Sequence, residues 1–534
     1  MTILVTFSFT LLRAQSDYSS AYVISTLAGS GAEGSADGTG TAASFRLPFG
    51  VAVDADGNVF VADTDNHKIR KISPAGEVTT FAGSGFRGSA DGTGAAASFH
   101  FPTGVAVDAG GDVFVADGFN HKIRKISPAG EVTTFAGSGS RGSADGTGGA
   151  ASFDDPSGVA VGAGGNLYVA DSQNCKIRKI SPAGVVTTLA GSGAVGSTDG
   201  AGAAARFRYP CGVAVDAGGN VFVADQHNHK IRKVSPAGVV TTLAGSVDEG
   251  DADGTGAAAS FRYPTGVAVD AGGNVFVADY GNFLIRKISQ AGVVGTVAGP
   301  GEYFSADDPG AADGTGAAAS LNDPTGVAVD VGGNLYIAEN GYSKIRKGVP
   351  ALVQYIAFPG LVARSTASSP FDLTASASSG LPVSFNLISG PATLSGKRMT
   401  LKGAAGTVVV RATQSGNAAY ASAPHVERSF VVKASTISTL SNLVVQGVTL
   451  SPKFAASAIN YTAKVGNSTR SIKITTTAKS NATEIAINGV TVKSGTTGKA
   501  IALRTGKNVI LIVVTAQNGS KKTYKITVMR ANRH

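Results

Sequence analysis

The chain has 534 residues, of which 43% are hydrophobic, 15% are charged and 72 are glycine, with 2 cysteines and no tryptophan. That hydrophobic fraction excludes a disordered chain, two cysteines exclude a disulfide scaffold, and abundant glycine with little charge points to turn-rich β-structure. The net charge of +9 is uneven: residues 1–350 carry 24 Lys and Arg against 33 Asp and Glu, residues 351–434 carry 7 against 2, and residues 435–534 carry 14 against 1. An acidic body therefore carries a basic tail, which bears on partners and solubility and not on fold.

Residues 1–20 are expected to be a secretion signal or N-terminal segment. An apolar run of about ten residues ends at Leu12-Arg13-Ala14, with cleavage expected after Ala14. No stretch reaches the ~18 apolar residues that cross a bilayer, so no transmembrane segment is expected.

From residue 21 to 350 the chain repeats. The landmark prolines Pro48, Pro102, Pro156, Pro210, Pro264 and Pro324 are spaced by 54, 54, 54, 54 and 60 residues, the last stretched by an insertion at residues 303–309. Each copy reads as four short strands. In the first these are Gly50-Val51-Ala52-Val53-Asp54, then Asn58 to Asp63, then Lys68 to Ser73, then Val78 to Gly83. Alternating apolar residues between Gly, Pro and Asn turns are the signature of an antiparallel meander. Six four-stranded units imply a propeller or a solenoid. The sixth copy ends at Ile345-Arg346-Lys347 without a fourth strand, while Ser25-Thr26-Leu27-Ala28-Gly29 supplies a fourth strand before any first. The N-terminal strand is therefore expected to complete the last copy and close a six-bladed all-β propeller, leaving no open edge.

Asn66-His67-Lys68-Ile69, Asn120-His121-Lys122-Ile123 and Asn228-His229-Lys230-Ile231 resemble the motif that names NHL repeats, whereas Asn174-Cys175, Asn282-Phe283 and Tyr342-Ser343 depart from it. The resemblance implies the propeller fold. It leaves function open, because propellers of this family serve as enzymes, RNA binders and interaction platforms.

Residues 351–434 read as a small immunoglobulin-like β-sandwich on strand spacing alone, with no Cys-Trp-Cys core. Residues 435–534 read as a second all-β unit with hairpins at Thr483 to Gly489 and around Asn518-Gly519. Leu440-Ser441-Asn442-Leu443 with a closing Tyr524-Lys525-Ile526-Thr527-Val528 strand resembles the bacterial cadherin-like β-sandwich, although Glu484 is its only carboxylate.

The copies are so alike that the positions at which they differ carry the information. Two residues before each proline stand Arg46, His100, Asp154, Arg208, Arg262 and Asn322; one before stand Leu47, Phe101, Asp155, Tyr209, Tyr263 and Asp323. In the turns between second and third strands the compared residues are Asp65, Phe119, Gln173, His227, Tyr280 and Asn340. Both loop sets are expected on one face, around the channel mouth. The candidate ligand-binding residues are accordingly Arg46, His100, Phe101, Asp154, Asp155, Arg208, Tyr209, Arg262 and Tyr263, with aromatics supplying area and Arg supplying directed hydrogen bonds. Drift at exposed polar loops is the competing explanation.

Other patterns read as structural. Asp63 with Arg70 recurs in every copy, as Glu339 with Arg346 in the sixth, and reads as an ion pair pinning each hairpin. Asp37 in its glycine-rich loop, repeated at 91, 145, 199, 253 and 313, reads as a turn capping its own backbone, since one carboxylate is far short of a calcium site. The turn histidines His67, His121 and His229 are expected to point outward. Cys175 and Cys211 would close a ~37-residue loop if bridged, or stay free thiols.

No catalytic residue, metal site or cofactor motif emerges. The expected function is a non-enzymatic, secreted or cell-surface binding scaffold taking a protein, peptide or glycan at the channel mouth, with the tail domains as spacer and anchor. The strongly basic residues 435–534 suit an anionic cell-surface polymer, while scattered charges and few aromatics disfavour nucleic acid. The alternative is a metal-dependent hydrolase or lyase propeller with its site at the same mouth.

Overall fold

The computed structural model describes residues 21–301, 312–417, 419–480 and 484–532. The expected signal at residues 1–20 and the insertion at residues 303–309 lie outside the described residues. Two compact units emerge, one running to Val353 and taking in Asn417–Ala421, the other made of Gln354–Gly416 and the chain from Ser422. Among the described residues no helix is long and apolar enough to cross a membrane.

The first unit holds six five-stranded antiparallel sheets in a propeller-like arrangement. In the first copy the order from the axis outward is Pro48–Val53, Val59–Asp63, Lys68–Ile72, Glu77–Ala82 and Gly38–Thr39. Four strands were expected. The fifth is only two residues long, too short to show periodicity, and it pairs Gly38 with Val78 and Thr39 with Glu77, covering part of the outer edge. In the last sheet Tyr22–Ala28 lies beside Lys344–Pro350, with Val23 opposite Val349 and Ser25 opposite Lys347. The N-terminal strand thus takes the place that the sixth copy leaves vacant.

Every residue of Val59–Asp63 is buried, because each sheet is covered on both faces by its neighbours. Phe60, Ala62 and Ile69 of the first copy pack with Phe99, Val105 and Val115 of the second, and Val51, Val59 and Ile72 of the first pack with Ala328, Tyr336 and Ile345 of the sixth. Nearest the axis the strands come too close for side chains at one level. A Cβ on Gly50, Gly158 or Gly212 would stand 2.3 Å from the carbonyl oxygen of Thr103, Cys211 or Thr265, and one on Gly326 would stand 2.4 Å from that of Phe49. Hydroxyls join the same strands: Ser157 Oγ donates to Cys211 O at 3.0 Å, and Thr325 Oγ1 to Phe49 O at 3.0 Å.

The expected ion pair is present in every copy and fully buried. Arg70 Nη1 donates to Asp63 Oδ2 at 2.7 Å and to Ser44 O at 3.0 Å, and its Nη2 to Ala36 O at 2.9 Å. The guanidinium carbon lies 5.2 Å from the centre of the Phe45 ring. Asp63 in turn accepts from the Arg46 backbone N–H and from Asn66 Nδ2. Asp37 departs from expectation. Its Oδ1 accepts from Arg70 Nη2 at 2.6 Å and from Thr80 Oγ1 at 3.1 Å, so it serves the buried guanidinium and not its own turn. Partial burial raises the Asp37 pKa, but these bonds outweigh it and hold the carboxyl below its ordinary range.

The turn histidines also depart from expectation, because they face inward. His67 and His229 are buried. His67 Nδ1 accepts the Phe101 N–H at 3.2 Å, His121 Nδ1 the Asp155 N–H at 3.1 Å, and His229 Nδ1 the Tyr263 N–H at 3.2 Å. Each histidine therefore ties its turn to the loop of the following copy. Cys175, at the same position, takes the Tyr209 N–H. Both cysteines are free and buried, and burial pushes the Cys211 thiol up to about 12.

In the second unit Ala423–Lys433, Gly406–Gln414 and Ser384–Ser389 form an antiparallel sheet over a core that includes Phe358, Met399, Val408 and Phe430. The following module is built on Gly506–Thr515 paired with Lys521–Arg530 along their whole length. The hairpin expected at Thr483 to Gly489 pairs Glu484–Ile487 with Val490–Val492 and turns at Asn488 and Gly489, both with positive φ. Gln517 Nε2 donates to Gly403 O at 3.0 Å, joining the two modules.

Three outcomes follow from this packing. Arg178→Ala, which strands the buried Asp171, should cost about 3–5 kcal/mol, whereas Asp145→Ala, which removes one of the hydrogen bonds of the buried Arg178 but opens that edge to water, should cost less, about 1–2 kcal/mol; calorimetry of the propeller transition compares them. Gly212→Ala should destabilise by about 1–3 kcal/mol through the Thr265 clash, while Gly149→Ala, with nothing within 4 Å, should be neutral or better. Burial holds the His67 and His229 pKa values below 6.5 in the folded state, so their contribution is complete above pH 6.5 and is lost as pH falls below it. Asp279, pushed up to about 6 by burial, adds a slope of opposite sign between about pH 4 and 6. The unfolding midpoint of a His67→Cys, His229→Cys double variant should therefore fall less than that of the wild type between pH 7 and 5; equal slopes would refute the histidine assignment.

Candidate functional site

The residue before each landmark proline has a left-handed backbone: φ is 47° at Leu47, 51° at Phe101, 50° at Asp155, 51° at Tyr209, 49° at Tyr263 and 47° at Asp323. Such a conformation costs a non-glycine residue about 1–3 kcal/mol. Because all six copies share it, it belongs to the frame, which is held by the turn bonds just described. It lifts six side chains of four kinds into equivalent positions.

The expected site residues gather in separate corners, each between the turn of one copy and the loop of the next. His67, His100, Phe101 and Phe119 form one, with the His100 and Phe101 rings 5.3 and 5.0 Å from Phe119 and the Arg87 guanidinium 5.4 Å above Phe101. In the next, Asp154 lies 3.8 Å from His121 and 3.7 Å from Arg141, and Asp155 accepts a hydrogen bond from Gln173, its carboxyl raised by burial. Further round, His227 packs between Tyr209 at 4.8 Å and Tyr263 at 5.4 Å. Burial, then the Arg208 charge, lowers the His227 pKa. Arg46 and Arg262 are exposed and paired, with Glu33 at 3.2 Å and Glu249 at 3.1 Å respectively.

Three features escaped the sequence reading. Arg87 and Glu249, on the crossing loops, complete the aromatic and arginine corners. Tyr280 and Asn340 do not match Asp65, because the copies align on Asp63, Asp279 and Glu339; Gly281 and Gly341 hold that position. Phe49, Ser157, Cys211, Thr265 and Thr325 line the narrow part of the channel, a cavity of about 60 Å³. Their differences directly after each proline were the available signal. Among the described residues no group of three or more His, Cys, Asp or Glu side chains is placed to hold a metal ion.

The NHL repeat model matches residues 45–72, 99–126, 153–180, 207–234 and 261–288, and the Cadherin-like beta sandwich domain model matches residues 440–531. Arabidopsis thaliana Protein SUPPRESSOR OF QUENCHING 1, chloroplastic, is 35% identical over 278 residues, covering 48% of this chain and 26% of that protein. Human NHL repeat-containing protein 2 is 32% identical over 293 residues, covering 47% of this chain and 40% of that protein. The chain thus spans well under half the length of these relatives. A solved Bacteroides thetaiotaomicron structural genomics protein of unknown function is 22% identical, covering 62% of this chain and 76% of that one at a TM-score of 0.48. The chain therefore carries NHL repeats at five matched segments and a cadherin-like beta sandwich domain at residues 440–531.

Proposed function

We propose that the six sheets close into a ring whose mouth is a non-enzymatic binding platform for a protein, peptide or glycan, in a secreted or cell-surface protein. The tail modules serve as spacer and anchor. The observation that carries this reading is the contrast between frame and loops. The Asp63–Arg70 pair recurs in all six copies, while the left-handed positions before the prolines hold Leu, Phe, Asp, Tyr, Tyr and Asp. A frame that fixes the backbone and frees the side chains is what a recognition surface requires. Residues 435–534, with 14 cations against one carboxylate, complement an anionic cell-surface polymer, in a salt-dependent manner. The metal-dependent hydrolase or lyase alternative needs clustered ligands, and the described residues offer none.

The test is a thermal-shift screen of the full chain against peptide and glycan panels. A ligand of the mouth should raise the propeller's midpoint with concentration, and Arg208→Ala with Arg262→Ala should weaken it at least tenfold. A ligand whose affinity ignores every mouth substitution would sink the platform reading. Removing residues 435–534 should abolish retention on anionic polymer at low salt while leaving the mouth ligand bound.

A further inference from the structure

The five-stranded sheet of the cadherin-like module has two faces of different character. Its strands lie in the order Asn460–Val465, Lys521–Arg530, Gly506–Thr515, Glu484–Ile487 and Val490–Val492. One face gives Tyr461, Ile510, Ile512, Val514, Tyr524 and Ile526 to the buried core. The residues between them point the other way, and a sheet with one wet face ordinarily shows polar side chains there. Here Val509, Leu511 and Met529 stand on that face, 45%, 43% and 45% exposed.

The register sets these apolar residues among lysines. Met529 lies opposite Lys507 on one side and opposite Lys464 on the other. Leu511 lies opposite Lys525, and Val509, opposite Thr527, falls between those pairs. Residues directly opposite have Cβ atoms about 4.5–5.5 Å apart, so the apolar and charged groups form one surface. Glu484, the only carboxylate side chain in residues 435–534, lies opposite Thr515 and beyond this group. It accepts from Thr491 Oγ1 at 3.0 Å.

This composition selects the partner. A second copy would set lysine against lysine and be repelled. Protein interfaces are anchored by Tyr, Trp and Arg and are poor in Lys, and among the described residues the outward face holds lysines and no aromatic ring. A soluble polyanion would match the lysines and leave the three apolar side chains in water. A bilayer bearing anionic lipid matches both, because lysine stems lie along apolar surface while their ammonium groups reach the head groups.

We propose that the outward face of this sheet, through Val509, Leu511, Met529, Lys464, Lys507 and Lys525, docks on an anionic lipid bilayer. This goes beyond the anchor reading, because a polymer held by charge alone has no use for the apolar residues.

The test is co-sedimentation of the full chain with phosphatidylcholine vesicles, with and without phosphatidylglycerol, beside retention on immobilised polyglutamate at low salt. The chain should bind the mixed vesicles and the polyglutamate, and pure phosphatidylcholine far more weakly. Lys507→Gln and Lys525→Gln should each weaken vesicle binding about fivefold. Leu511→Gln with Met529→Gln should weaken it about tenfold or more and leave polyglutamate retention unchanged. Val431→Gln, at an exposed position of the preceding module, should change neither. The substituted side chains are exposed, so the unfolding midpoint should stay with that of the wild type. No vesicle binding, or vesicle binding indifferent to the Leu511 and Met529 pair, would overturn the lipid face; polyglutamate retention in that case leaves the anchor reading standing. If the paired variant loses polyglutamate as strongly as vesicles, the face reads an acidic chain and the lipid assignment falls. A wild-type chain that binds neither vesicle nor polyglutamate would remove the lipid face and the anchor together.

Discussion

Among the described residues six guanidinium groups sit entirely out of water, and the arrangement of every copy depends on how they are satisfied. Removing such a charge from solvent costs several kcal/mol unless its hydrogen bonds are replaced. Arg70 replaces four with Asp63, Asp37, Ala36 O and Ser44 O. Those partners come from the second strand, the crossing loop and the approach to the first strand. One side chain thereby fixes three segments that hydrophobic packing alone would leave free to slide. Its Nε finds no acceptor in any copy, and the face of Phe45 lies beside the group.

The mouth inherits its order from that interior charge. Asp63 accepts the Arg46 N–H at 2.8 Å, which holds the chain just before the left-handed residue. The following copy is reached through His67 and the Phe101 N–H. Orientation of the exposed loops is thus set from below and from the side, by groups that lie behind the loop tips. Substitutions at the loop tips can change chemistry without changing backbone.

The four longer strands of each copy and the exchange at the termini were legible because alternating burial and fixed spacing both leave a trace in sequence. Gly38–Thr39 left none, having no room for a period. The roles of Asp37 and His67 were hidden for another reason. Each bonds a group more than thirty residues away, at Arg70 and Phe101, so a local reading assigns the one to its own turn and the other to solvent. The loop positions that differ among the copies could be named from the sequence, but their grouping in space could not. Which turn meets which loop across a copy boundary, as His67 meets Phe101, leaves no local trace, and an alignment slip of one residue was enough to place Tyr280 wrongly.

The exchange of strands in the last sheet has a consequence for the order of assembly. Five sheets are made of segments close together in the chain and can form as soon as each has been synthesised. The sixth must bring Tyr22–Ala28 to Lys344–Pro350, across a separation that makes it the slowest closure in the unit. Until then Tyr22–Ala28 has two bare edges, and the matching fourth-strand position of a neighbouring chain at the same stage can pair with it. Crowded synthesis therefore favours strand exchange between molecules, and dilution favours pairing of the two segments within one chain.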